Sequence, residues 1–509
     1  MADISVNNKR IATNTLMLYI RMFVMVGVNL YASRIILQAL GVDDFGLYNI
    51  VGGVVALFTF INSAMVSSTL RFLNYEFGRN NLGEAQKVFS ASLNIHIAIA
   101  VLVVLLAETV GLWFLNSYIS IPDGRVVAAN WVYQFSIITA AIGIVQAPYN
   151  ALIIAHERMS FYAYISILEV ILRLIVAYMV YIFADRLISY SVLLSVTAFV
   201  VFIGYYIFCR RNFSIYKYCF EYDKSRYWAI AGFSGWSLFE AIANMGASQG
   251  LNILLNIFFG ITVNAAMGIA NQVNAAIYRF VGNFQLAFNP QIVKSYAAGE
   301  KGYFINLILS TSKYSFFLLL LLALPVFICC PEILRIWLGQ VPDYTVQFCR
   351  LMIVFSLIEA LQGPLWVSVQ ATGRIRNYQL LMSFFIFSNL PIAYIALKFF
   401  KSPELVLVIR VLVNVITSIV RILYIRRLYT FPVFRYLKEV ISIAGIVTLL
   451  SFPIPYIVYH SIPTWYGLLS SISLALICTI ITVYIIGLKR GEKEYFNKAI
   501  RKIIHLVHI

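Results

Sequence analysis

Charge is what this sequence has least of. Asp, Glu, Lys and Arg make up only 12% of its 509 residues, about half the share usual in soluble domains. Acids are the scarcer sign, 21 against 38 Lys and Arg. The six cysteines (Cys209, Cys219, Cys329, Cys330, Cys349 and Cys478) form no Cys-x-x-Cys pair and stand in no Cys/His ligand spacing. Five histidines are scattered, with His505 and His508 in the basic tail. A metal site and a disulfide framework are therefore excluded, and the thiols read as small apolar fillers within helices. No cofactor is expected.

What is present is apolar. Hydrophobic residues reach 61% and mean hydropathy is +0.85, more than one globular core can hide beneath a polar surface. A formal charge of +17 on a soluble protein would suggest nucleic acid. Here the charges are too few and the apolar runs too long, so no nucleic-acid partner is expected. Soluble enzyme, disordered chain and secreted disulfide-rich module are likewise excluded. The composition is that of a polytopic membrane protein.

A membrane-crossing helix needs roughly 20 mostly apolar residues. Fourteen such stretches occur, over 11–40, 45–70, 88–115, 126–155, 159–184, 187–208, 229–258, 263–289, 304–330, 344–371, 378–400, 405–425, 439–460 and 465–488. The first is too long for a cleaved signal peptide and carries Arg21 and Arg34. Barrel strands would be short and alternating. The expected fold is all-α, with about 14 transmembrane helices.

Placing the N-terminus in the cytoplasm puts 25 Lys and Arg on the cytoplasmic side, five outside (Arg125, Arg186, Arg335, Lys398, Lys401) and eight within spans. That five-to-one bias is what the positive-inside rule requires. With an even number of spans both termini are cytoplasmic, in a multi-pass membrane protein. Outer connections stay below about fifteen residues and the longest inner one is near twenty. No soluble domain is left to house catalysis, so no catalytic residue is expected.

The chain also repeats itself. Gln146, Pro148, Ala155, Arg158 and Tyr162 recur as Gln362, Pro364, Ala371, Arg374 and Tyr378, always 216 residues on. Gly41 and Gly83 recur 219 residues on as Gly260 and Gly302. A duplicated six-helix unit explains this, and an even helix count makes the two copies parallel, as in transporters whose halves rock about a substrate path. The expected organisation is an N-terminal six-helix bundle (1–215), a C-terminal one (216–430), two additional spans (431–488) and a basic tail (489–509). Pro148 and Pro364 each remove a backbone hydrogen bond, which suits either a hinge pair or static curvature.

Twelve ionisable residues fall inside spans: Arg21, Arg34, Glu108, Glu169, Arg173, Glu240, Arg279, Lys313, Arg350, Glu359, Arg410 and Arg421. On insertion scales each costs roughly 2.5–3.5 kcal/mol at a lipid-facing bilayer centre. Arg34, Glu108, Arg410 and Arg421 lie near span ends, where snorkelling is one answer. Glu169 and Arg173, one helical turn apart, suit an internal ion pair. Arg21, Glu240, Arg279, Arg350 and Glu359 have no partner within a turn and are candidates to line a wet cavity. The asparagines of spans seven and eight, notably Asn244, Asn252, Asn271 and Asn274, fit the same cavity or interhelical hydrogen bonds. Eight cations against four carboxylates favour an anionic, phosphate-bearing cargo.

Leu40-Gly41-Val42-Asp43-Asp44-Phe45-Gly46-Leu47-Tyr48-Asn49, followed by Gly52-Gly53, resembles the opening hallmark of bacterial polysaccharide and O-antigen flippases. So do Arg71 through Gly83-Glu84, Trp337-Leu338-Gly339 with Pro342 and Tyr344, and Ala371-Thr372-Gly373-Arg374 with Tyr378, in the expected order. That family belongs to the multidrug and oligosaccharidyl-lipid/polysaccharide exporter superfamily. The resemblance implies two six-helix bundles in a V around a central cavity, with two extra C-terminal helices. It implies flipping of an undecaprenyl-pyrophosphate-linked oligosaccharide, with arginines of the first and eighth helices (Arg21 or Arg34, and Arg279) on the pyrophosphate. Arg350 joins them as a cavity cation. Glu240 and Glu359 are candidates to exchange H+ or Na+. Expected partners are the lipid-linked oligosaccharide, membrane lipid and polysaccharide assembly proteins, with the chain itself a monomer. The alternatives are a cation-coupled multidrug exporter of the same fold and, further off, a polyprenyl-dependent glycosyltransferase or glycan polymerase.

Overall fold

The computed structural model describes residues 2–118, 121, 124–220, 223–462, 465–489 and 491–493, with side chains apart from those of 2–12, 30, 42, 49–50, 53–64 and 261. Most of the expected basic tail, 494–509, lies outside the described residues.

Every described element is helical. Hydrocarbon offers no partner to a backbone N–H or C=O, so each long apolar run must satisfy its own peptide groups. The chain opens with α1 (Ala2–Gly78), two helices that meet at Gly41, where φ is 79° and ψ is 171°. A π-turn joins α2 (Leu82–Leu106) to α3 (Leu112–Tyr118). Then come α4 (Val126–Ala155), α5 (Met159–Met179), α6 (Arg186–Asn212), α7 (Lys224–Phe259) and α8 (Ile261–Ala297). They are followed by α9 (Lys301–Ile328), the short α10 (Cys330–Leu338), α11 (Thr345–Thr372), α12 (Arg376–Phe400) and α13 (Glu404–Leu428). The last stretch holds α14 (Val433–Tyr436), α15 (Ser442–Ser451), α16 (Pro453–Ser461) and α17 (Trp465–Thr482).

Among the described residues, eleven helical stretches are long and apolar enough to cross a membrane, and each coincides with a predicted span. The other three predicted spans lie within α1, α7 and α8. The last two are 36 and 37 residues long but carry the asparagines noted above, so their polar content sets them apart. The protein is an all-α, polytopic membrane protein.

Two compact units divide the chain, 1–241 with 286–300 and 242–285 with 301–509. The division does not follow the 215/216 connection. The N-terminal unit keeps the first half of α7 and the last turns of α8.

In the N-terminal unit, Leu73, Phe89, Leu152, Tyr205 and Cys209 belong to one buried cluster drawn from α1, α2, α4 and α6. At one end Arg125 bridges Asp44 (2.6 Å) and Asp185 (3.2 Å), tying together three connections. Asp185 also caps α6 by accepting from the Leu187 and Ile188 amides. Asp44, part of the opening motif, is thus an anchor for Arg125. At the opposite end, which carries the basic connections, Arg226 pairs with Glu84 at 2.8 Å. There too the Gln86 amide donates to the Lys217 carbonyl at 2.9 Å.

In the C-terminal unit a cluster from α7, α8 and α10 to α13 includes Leu255, Met267, Phe348, Met352 and Leu407. The two added spans pack on α9. Ser471 donates to the Pro455 carbonyl (2.8 Å), and Ser451 and Thr482 share a 2.7 Å hydrogen bond.

Backbone conformation recurs at the repeat spacings. Gly41 and Gly260 both have φ of 79°, Asn80 (55°) matches Gly299 (77°), and Glu157 (59°) matches Gly373 (76°). Where α1 ends, Gly78 lies against α8 of the same unit. A Cβ there would come within 2.4 Å of the Lys294 carbonyl oxygen and 2.7 Å of the Ala297 Cβ. Backbone cannot yield as a side-chain tip can. Gly78→Val is therefore expected to destabilise the protein by about 1–3 kcal/mol, read as loss of monodisperse detergent-solubilised protein on heating. Gly83→Ala, whose Cβ meets nothing closer than 3.8 Å, should stay near the parent.

Candidate functional site

The membrane-embedded charges separate by what they touch. Glu169 and Arg173 form the expected pair at 2.6 Å. Glu108 accepts from the Gln134 amide at 3.2 Å. Lys313, 3% exposed, pairs with Glu492 at 3.1 Å. Arg350 donates from Nε to the Phe327 carbonyl at 3.0 Å, and an Nη contacts the Ile328 carbonyl at 3.4 Å. These are among the last carbonyls of α9, so Arg350 closes a helix C-terminus that has no amides left to offer. Arg410 lies 4.5 Å from the Phe355 ring.

Three arginines are left over. Arg21 rests 4.3 Å over the Tyr162 ring, and its buried Nε has no acceptor. Arg34 and Arg279 are exposed on α1 and α8. Among the described residues none of the three makes an ion pair or a hydrogen bond. On the acidic side, Glu359 of α11 is half-buried and makes no hydrogen bond or ion pair among the described residues. It stands within electrostatic range of Arg410 and Tyr278. Glu240 is half-buried on α7 and has partners of its own.

The asparagines diverge as well. Asn274 accepts a very short hydrogen bond from Ser356. Asn252 donates to Gln249 at 3.3 Å, leaving its own oxygen buried and unmatched. Asn244 is exposed and Asn271 half-buried.

A polar brace in the C-terminal unit was not legible from sequence. Pro364 has no N–H to give the carbonyl four residues back, that of Ala360. The Gln285 amide supplies it instead, at 3.3 Å. Gly363 makes the approach possible, since a Cβ there would sit 2.4 Å from Gln285 Oε1. The next two carbonyls are also taken. Tyr436 donates to Leu361 at 3.2 Å and Arg421 to Gln362 at 3.3 Å, while the Gln362 side chain donates to Asn414 at 2.6 Å. Arg421, 8% exposed, does not snorkel. Each residue of Gln362-Gly363-Pro364 therefore takes part in the contacts that hold this stretch of α11.

Sequence reasoning also passed over Glu157, in the turn between α4 and α5. Its side chain is fully buried and its backbone is left-handed, which costs a non-glycine residue roughly 1–2 kcal/mol. The carboxylate accepts from Gln291 Nε2 at 2.7 and 2.8 Å and from Lys294 Nζ at 2.6 Å. The signal was available in the repeat, where position 157 falls opposite Gly373.

Beside it, His156 stacks on Phe213 (3.9 Å between centroids) and meets the Phe77 ring edge-on at 4.5 Å. Its Nδ1–H donates to the Leu152 carbonyl at 3.0 Å. Burial, with the cations Lys294 and Arg158 nearby, pushes the imidazole down to about 4 despite that bond.

No protein-family model matches the sequence, and no curated protein matches it. Solved structures do match. A crystal structure of a MATE mutant gives a TM-score of 0.71 at 15% identity, over 83% of this chain and 96% of its own. The MATE transporter ClbM in complex with Rb+ gives 0.68 at 16%, over 84% and 97%. A MOP superfamily transporter from Pyrococcus furiosus, described as having a binding pocket of reverse polarity, gives 0.67 at 15%, over 83% and 95%. The chain has the fold of MATE transporters of the MOP superfamily, which is a membrane transporter's fold.

The His156 environment sets a pH expectation. The folded-state value lies below the unperturbed one of about 6.5, so as pH falls the unfolded chain takes up its proton first. Stability should therefore be lost progressively between about pH 6.5 and 4. His156→Phe keeps the stacking and removes the titration, so it should flatten that part of a melting-temperature profile in detergent. A parent-like slope in the variant would assign the acid loss to another group.

Proposed function

We propose that the protein is a flippase that carries an undecaprenyl-pyrophosphate-linked oligosaccharide from the cytoplasmic to the periplasmic leaflet of the bacterial inner membrane. It does so by alternating access, in the assembly of O-antigen or capsule. The observation that carries this reading is the set Arg21, Arg34 and Arg279, guanidinium groups on membrane-spanning helices with no carboxylate partner among the described residues. Planar guanidinium forks bind phosphate oxygens bidentately and repel organic cations. The ordered motifs from Leu40-Gly41 to Arg374 support the same cargo. Asn244 and Asn271 offer amides to sugar hydroxyls. Glu359, unpaired within α11, is the coupling group for H+ or Na+, with Glu240 as the other candidate. The chain works as a monomer beside polysaccharide assembly proteins, with both termini in the cytoplasm.

The second reading is a cation-coupled multidrug exporter. It is favoured by the solved neighbours, one of which is described as a multidrug resistance MATE family transporter, and by the Glu359 carboxylate, which has no ion pair among the described residues.

Deletion in the source strain should accumulate the lipid-linked intermediate on the cytoplasmic leaflet. Arg279→Ala should cut surface glycan about tenfold or more at unchanged protein level, the loss expected for one charged hydrogen-bonding group. Parent-like glycan from that variant removes Arg279 from the site. Drug resistance on expression, with glycans untouched by deletion, would decide for the exporter.

A further inference from the structure

Helix α8 belongs to both compact units. Its residues up to Gln285 go with the C-terminal unit, and from Leu286 onward they go with the N-terminal one. Four residues past that change comes Pro290, which has no N–H for the Leu286 carbonyl. The ladder of α8 is thus interrupted just where the helix passes from one unit to the other. Just beyond the proline stand Gln291 and Lys294, three residues apart, and both donate to the Glu157 carboxylate.

Three features mark Glu157 as more than a turn residue. Its backbone sits at φ 59°, where its counterpart in the second repeat is Gly373 at 76°. Glycine would be the unstrained choice, so the side chain is what holds glutamate there. The carboxylate is buried, with three N–H contacts between 2.6 and 2.8 Å. A buried pair that loses one partner leaves an uncompensated charge, so Glu157 and Lys294 are stable together or hydrated apart, with little between.

We infer that Glu157 is the catch of a latch on the end of α8, and that its release from Gln291 and Lys294 frees the turns after Pro290 and opens this end of the protein to water during transport. Glu157 is a positioning residue here and touches no cargo. The inference rests on the transporter reading but not on the identity of the cargo.

The test is thiol labelling in membrane vesicles of both orientations. Ile292→Cys places a reporter at a fully buried position between the two donors, and labelling of the chain without it is subtracted. With Glu157 present, Cys at this position should resist a membrane-impermeant maleimide. Glu157→Gly relieves the backbone strain and removes the catch. It should raise the labelling rate about tenfold from the basic end. The swap of Glu157→Lys with Lys294→Glu should bring the rate back to within about twofold of the parent. A reporter that stays protected in the Glu157→Gly chain overturns the latch, as does labelling that the swap leaves unchanged.

Should Glu157→Gly fail to accumulate, Glu157→Cys with Gln291→Cys, bridged by a reducible bifunctional thiol reagent, decides instead. The bridged protein should stop the transport that the unbridged double variant performs, whichever cargo the deletion test assigns, and resume it on reduction, and transport through the bridge overturns the inference. Labelling needs no cargo, so a negative Arg279→Ala result removes the flippase reading and leaves this one standing.

Discussion

A backbone amide inside hydrocarbon must find its partner within the chain, because nothing around it can accept or donate. Most of the protein follows from that one demand. It explains why the apolar runs are helices and why the connections are short. It also explains why the exceptions fall at a few chosen residues. Each interruption leaves a carbonyl or an amide to be satisfied by something else. At Pro364 the substitute is Gln285, which donates to the Ala360 carbonyl. At the end of α9 the substitute is Arg350. Charged and polar side chains that look like waste in a membrane are in these places the missing half of the backbone's own hydrogen bonds.

The same demand separates the two repeats. Matched positive-φ sites at Gly41 and Gly260 show that both copies turn in the same way at the same place. Yet the matched prolines are used differently in what surrounds them. Gly363, before Pro364, admits Gln285, whereas Ala147 stands before Pro148. Conversely Gly373 ends α11 without strain, whereas Glu157 accepts strain to hold Gln291 and Lys294. The two matched segments share these backbone turns. The differences show where one of them took on a further mechanical duty.

Much of this was legible before any coordinates. Span positions depend on local apolarity, and the eleven strongest stretches coincide with helices. The Glu169–Arg173 pair depends only on a four-residue spacing within one helix. What sequence could not supply were contacts between distant segments. Arg421 lies near the end of its span and reads as a snorkeller, but Gln362, 59 residues away, takes its charge inward. Arg350 reads as a cavity cation for the same reason. Its acceptors are carbonyls, which look alike at every position of a sequence. The asparagines failed to form a single class because helix periodicity fixes a face but not what that face meets.

These contacts change what the intramembrane charge can be taken to mean. Counted from sequence, the spans carry eight cations and four carboxylates. Arg173 and Lys313 are neutralised by carboxylates, one of which, Glu492, lies beyond the spans altogether. Arg350 and Arg421 are committed to backbone carbonyls, and Arg410 has Glu359 within electrostatic range. The surplus that could meet an anion is therefore not a diffuse positive interior but three guanidinium groups, Arg21, Arg34 and Arg279. Two lie on the part of α1 before Gly41 and one on α8. A charge left unpaired in a membrane protein is costly unless water or a ligand offsets it. That cost is why these three arginines, each taken by itself, support the proposal of an anionic cargo.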